Sequence, residues 1–153
     1  MKRALTSLML TGLIMSICLI TSPALATPVQ WTTGTGANNH YYDWIAYNAT
    51  WAQAKADALT KKYNGLPGHL VTITSSDEYN FVKSIADSDA GGWGWLWIGV
   101  TSVSGTLTWE NNETSAWTGY NWKSGSPVAG TYNVKMAGFG NSNQWVTENT
   151  NAG

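Results

Sequence analysis

The sequence predicts a small α+β domain with two helices in its first half and short antiparallel strands joined by a long loop region in its second. Three observations point there. Residues 51–63 carry Trp51, Ala54, Ala58 and Leu59 at helical spacing behind Thr50, a residue suited to capping a helix start. Ser75-Ser76-Asp77-Glu78 has the form of a capping box, and Phe81, Val82 and Ile85 behind it give a second helix over 75–86 an apolar face. From Asp87 onward the texture changes to apolar runs of strand length, 95–101 and 107–110, separated by the turn residues Ser104-Gly105.

Before this domain, Lys2 and Arg3 precede an apolar run over 8–20 and then Ser22-Pro23-Ala24-Leu25-Ala26. A charged start, an apolar centre and an A-x-A site make residues 1–26 a secretory signal peptide of bacterial style. The run is shorter than the roughly 20 residues that span a bilayer, so no membrane anchor is expected in the mature chain. The one cysteine, Cys18, falls within the signal behind Ile17, which is too bulky for a lipidation site. The mature chain is then cysteine-free and depends on packing alone. Secretion, to the periplasm or the cell surface, follows.

Residues 27–38 read as a polar, Gly-rich lead-in and 39–153 as the one domain. Within it, 40–47 and 69–73 read as strands, with His40 and His69 in structural roles on them. Lys61 and Lys62 fall in the last turn of the first helix, where cations suit the helix dipole. With Lys2 and Arg3 removed, the charge balance is weakly acidic and no basic cluster remains. Nucleic acid is therefore not an expected partner, because phosphate binding needs Lys and Arg to displace counterions. Ten tryptophans in so short a chain imply indole rings that build a core, present a surface to a ligand, or both.

Five blocks taken in order resemble the C-type lectin-like domain: HYYDWIAYNATWAQAKADA from His40, GHLVTITSSDEYNFV over 68–82, LWIGVT over 96–101, TWE at 108–110 and YNW at 120–122. The resemblance covers roughly 39–145. It implies that Trp97 and Ile98 are core residues and that Gly99 lets the backbone turn. Sugar-binding members of that family hold calcium with a Glu-Pro-Asn or Gln-Pro-Asp triplet, an acidic residue and a Trp-Asn-Asp triplet. Here those places fall on Ser126-Pro127-Val128, near Thr131, and on Trp145-Val146-Thr147, so both landmarks remain and the carboxylates do not. Calcium wants six to eight oxygens, several of them carboxylate, and no cofactor is expected. The family also continues into a final strand that pairs with the first. No such strand is legible before Gly153, which implies a C-terminally incomplete domain or a first-strand edge open to association with another chain.

The expected function is an exported module that binds carbohydrate or protein without the usual calcium site. The candidate ligand contacts are Trp93, Trp95 and Trp122, as rings for stacking, with Asn121, Asn141, Asn143 and Gln144 as hydrogen-bonding groups. The alternative is a structural or matrix-associated cell-surface protein with no small-molecule ligand. An enzyme is not expected: neither histidine has nucleophile and acid neighbours, and Asp87 and Asp89 read as a solvated turn.

Overall fold

In a computed structural model, the described residues are 27–45, 48–89, 94–115, 117–138 and 144–149, so the expected signal peptide lies outside them. The polar segment expected as a lead-in is part of the fold. Strand β1 (Val29–Gln30) pairs antiparallel with β2 (Tyr41–Tyr42), and Trp31 is buried with its ring stacked on Phe81 at 5.5 Å. Of the described residues of the expected strand 40–47, Tyr41–Tyr42 alone are strand, and one edge of that strand is paired with β1. His40 is exposed.

Helix α1 (Trp51–Thr60) starts as expected, with a capping box in which Thr50 Oγ1 accepts from Gln53 N and the Gln53 side chain accepts from Thr50 N. It ends three residues earlier than the periodicity predicts. Lys61 is extended, and Lys62–Tyr63 (β3) folds back onto Leu66–Pro67 (β4) through Asn64-Gly65, both at positive φ. An Asn-Gly pair is the strongest short hairpin signal, and it outcompetes one more turn of helix. Lys61 and Lys62 therefore do not serve the helix dipole, and Leu59 is 57% exposed.

Residues 69–73 form no strand and belong to no ladder, and His69 is exposed. They lie instead against strand β5 (Gly94–Val103): Gly99 N donates to Val71 O at 2.8 Å, where the register of β5 shifts between Trp97 and Thr101. A Cβ on Gly99 would sit 2.8 Å from Leu70 O. Close backbone approach, not a turn, is what this glycine permits.

Helix α2 (Ser76–Asp89) runs three residues beyond the prediction, with Ser75 Oγ accepting from Glu78 N. Asp87 consequently lies on the helix, ion-paired with Lys83, and not in a solvated turn. The carboxylate of Glu78, itself buried, accepts from Thr74 N at 2.8 Å and Thr74 Oγ1 at 2.9 Å. It also accepts from Tyr42 Oη at 2.7 Å, so one side chain fastens β2, the helix start and the segment before it.

Strands β6 (Thr106–Trp109), β7 (Thr131–Gly138) and β8 (Trp145–Glu148) complete a four-stranded antiparallel sheet ordered β6-β5-β7-β8. One face carries the core: Ile98, Val100, Trp109, Val134, Met136 and Trp145, closed by Ile73 and Val82. Trp97 and Ile98 are buried as expected. The outer edge of β8 is met at Trp145 by the stretch 121–123, which lies ahead of β7 in the chain: Trp145 N donates to Asn121 O and Lys123 N to Trp145 O, at 2.7 and 2.8 Å. Among the described residues no helix is long and apolar enough to cross a membrane.

Candidate functional site

Alternation along β5 sends Leu96 and Ile98 into the core and Trp95 and Trp97 to the opposite face. On that face the two tryptophans differ. Trp97 is 8% exposed, its Nε1 donates to Ala49 O at 2.7 Å, and the Lys135 ammonium stands 4.1 Å from its ring centroid. Trp95 is 46% exposed at the end of the sheet, where Gly94, Ala137 and Gly138 are its neighbours in the β5–β7 ladder. The segment leading into α1 covers Trp97 and leaves Trp95 open.

Two further chain segments reach this end. Met136 pairs with Trp145, so Gln144 continues β8 beside Ala137, two strands and about 10 Å from Trp95. Trp122 bridges Trp145 in parallel, and alternation puts Asn121 and Lys123 on the side away from the Trp122 ring. In keeping with this, the Lys123 ammonium stands over the Trp95 ring, 5.7 Å from its centroid, within the range of a cation–π contact. Asn121 and Lys123 are exposed and Gln144 is half-buried. The fold thus gathers Trp95, Asn121 and Gln144 from three sequence regions and adds Lys123, which the sequence reading did not single out. Its only signal was a lone cation directly after Tyr120-Asn121-Trp122.

Trp122 does not belong on this surface. Its half-buried ring packs edge-on against Trp145 at 6.1 Å and 79°, within a cluster that also holds Trp109, Trp117 and Tyr120. The same alternation that exposes its two neighbours turns it inward. Burial raises the pKa of the Tyr120 phenol, and the Tyr79 phenol, packed beside Trp117 at 5.9 Å, is pushed up to about 12 by burial and then by the Asp87 charge. Trp93, Asn141 and Asn143 lie outside the described residues.

The places where the resemblance would put calcium ligands are occupied by a different bonding pattern. Ser126 Oγ and Thr147 Oγ1 are 3.4 Å apart, Thr147 N donates to Ser126 Oγ at 3.3 Å, and Val128 N donates to Thr147 Oγ1 at 3.2 Å. Trp145 is fully buried, and Val128 and Val146 bring only hydrocarbon. Two hydroxyls satisfied by each other and by backbone, with no carboxylate among Ser126, Val128, Thr131, Val146 and Thr147, do not fit a hard cation that needs six to eight oxygens.

No protein-family model matches the chain. Over 115 residues it is 33% identical to Halomucin from Haloquadratum walsbyi, an alignment that takes in 63% of this chain and 1% of that protein, so the chain spans about 1% of the length of that relative. Among solved structures it is similar to the C-type lectin CEL-I from Cucumaria echinata, with a TM-score of 0.64 at 19% identity over 82% of this chain and 91% of the other. CEL-IV superposes with a TM-score of 0.62 at 19% identity over 84% and 89%. Human lithostathine does so with 0.53 at 22% identity over 67% and 70%. Two helices, a four-stranded antiparallel sheet and these superpositions establish that the chain has the C-type lectin-like fold.

Proposed function

We propose that the chain is an exported binding module that recognises carbohydrate at the sheet end carrying Trp95, without calcium and without a chemical step. The observation that carries this reading is the 46% exposure of the Trp95 indole beside exposed Asn121 and half-buried Gln144. An indole face stacks on the apolar face of a sugar ring, and flanking amides supply donors and acceptors for its hydroxyls. Likeness in fold to a protein described as a C-type lectin supports carbohydrate as the ligand class. The mutually satisfied Ser126 and Thr147 hydroxyls support a loop held without an ion.

A glycan-array screen of the secreted chain, run in calcium and in chelator, tests this. The reading requires at least one glycan retained equally in both buffers and lost in Trp95→Ala. An empty array, retention abolished by chelator, or full retention by Trp95→Ala overturns it.

A further inference from the structure

The outer face of the sheet carries the same pairing of indole and ammonium twice, and the two copies differ in one respect. In the inner copy, Lys135 stands over buried Trp97 and its charge is met by Glu148 Oε2 at 3.3 Å. In the outer copy, Lys123 stands over exposed Trp95, and none of the ion pairs formed by the described residues involves it. Lys55, Lys61 and Lys83 are likewise paired, with Glu110, Asp57 and Asp87, and exposed Lys62 on β3, like Lys123, is in none of these pairs. Where a lysine lies against an indole that the fold covers, an acid completes the set; at the open ring none of the described acids does.

We infer that the ligand itself supplies that anion: the sugar that stacks on Trp95 is an acidic one, whose carboxylate or sulfate accepts from the Lys123 ammonium. This rests on the reading of Trp95 as a sugar platform and names the ligand class it takes. A pyranose laid on the indole holds its ring substituents at the edge of the aromatic face, where a cation already attracted by the ring is positioned to meet an exocyclic acid. The complement is one ammonium, not a basic patch, so each bound unit neutralises about one charge. That separates this surface from one built for nucleic acid, where many phosphates are met and affinity falls steeply with salt.

The test uses immobilised pectate, alginate and hyaluronan, each beside its carboxyl-reduced neutral form, and dextran sulfate beside dextran, with wild type, Trp95→Ala, Lys123→Gln and Lys62→Gln. Lys62 is an exposed lysine on β3, outside the sheet that carries Trp95, and controls for net charge. The expected result is retention on at least one acidic polymer that is absent on its neutral partner. Retention should be weakened roughly tenfold in Lys123→Gln, the scale of one charge-assisted contact, abolished in Trp95→Ala and unchanged in Lys62→Gln. Retention on carboxylates alone, or on dextran sulfate alone, assigns the acid group. Equal, Trp95-dependent retention on acidic and neutral forms overturns the acidic-ligand inference and leaves the sugar platform standing. Equal weakening by Lys62→Gln and Lys123→Gln also overturns it, because net charge would then be sufficient. Failure of every polymer, acidic and neutral, overturns both.

Discussion

Truncating Trp122 to alanine destabilises the domain more than truncating Trp95 does, although both tryptophans lie at the same end of the sheet. Trp122 sets its ring against fully buried Trp145 and lies 6.3 Å from Tyr120, so Trp122→Ala opens a gap in the aromatic cluster. A fully buried aromatic costs about 3–5 kcal/mol to remove. Half-burial takes that to about 2 kcal/mol, and one lost edge-on contact with Trp145 adds about 0.5–1 kcal/mol, for a total of about 2–3 kcal/mol. Trp95 is 46% exposed and loses chiefly its cation–π contact with Lys123, worth about 0.5–1 kcal/mol at an exposed site. Urea unfolding followed by tryptophan fluorescence and by far-UV circular dichroism reads both variants against wild type. Equal losses, or a larger loss for Trp95→Ala, would refute the assignment of one ring to the core and the other to the surface.

Glu78→Ala leaves Thr74 N and Tyr42 Oη without their acceptor, and at about 1–3 kcal/mol for each stranded group it should cost about 3–4 kcal/mol. Glu78→Gln, which keeps one carbonyl oxygen, should cost less than half of that, and equal losses in a urea titration would show that the carboxylate is not the fastener. The Tyr79 phenol, raised to about 12, favours the fold while it stays protonated. Its contribution is complete below pH about 10 and is lost as pH rises from 10 through 12, so Tyr79→Phe should flatten melting temperature against pH in that window, and an unchanged slope contradicts the shift. Thr147→Val removes the acceptor of Val128 N and should cost about 1–2 kcal/mol. Millimolar calcium should leave the melting temperature of wild type unchanged, because a ligand of the folded state raises it by mass action; a rise of several degrees reversed by chelator contradicts the loop assignment.

Much of the fold is legible in the sequence because its signals are local. Thr50 and Ser75 cap the helices they precede, and the apolar run around Trp97 and Ile98 forms the central strand. The misreadings share a different cause: each turns on a partner distant in sequence or on a competing turn. Gly99 answers to Leu70 and Val71, Glu78 to Tyr42 from 36 positions away, and the segment 69–73 to β5 rather than to a ladder of its own. Trp31 lies in a polar, Gly-rich stretch and is buried with its ring stacked on Phe81, 50 positions away. At the site, Trp95, Asn121 and Gln144 are nameable from residue type. Which of Asn121, Trp122 and Lys123 faces outward depends on the bridge between Trp122 and Trp145, and no periodicity in that loop announces it.

The proposed binding of sugar to the open Trp95 indole requires no ion. Its most direct test is a calorimetric titration, in chelator, of the glycan most strongly retained on the array into wild type and Trp95→Ala. The expected result is saturable binding to wild type with the same affinity when calcium replaces chelator, and no measurable heat from a Trp95→Ala variant that melts with wild type. Binding that appears only in calcium, or that survives in Trp95→Ala, would contradict it.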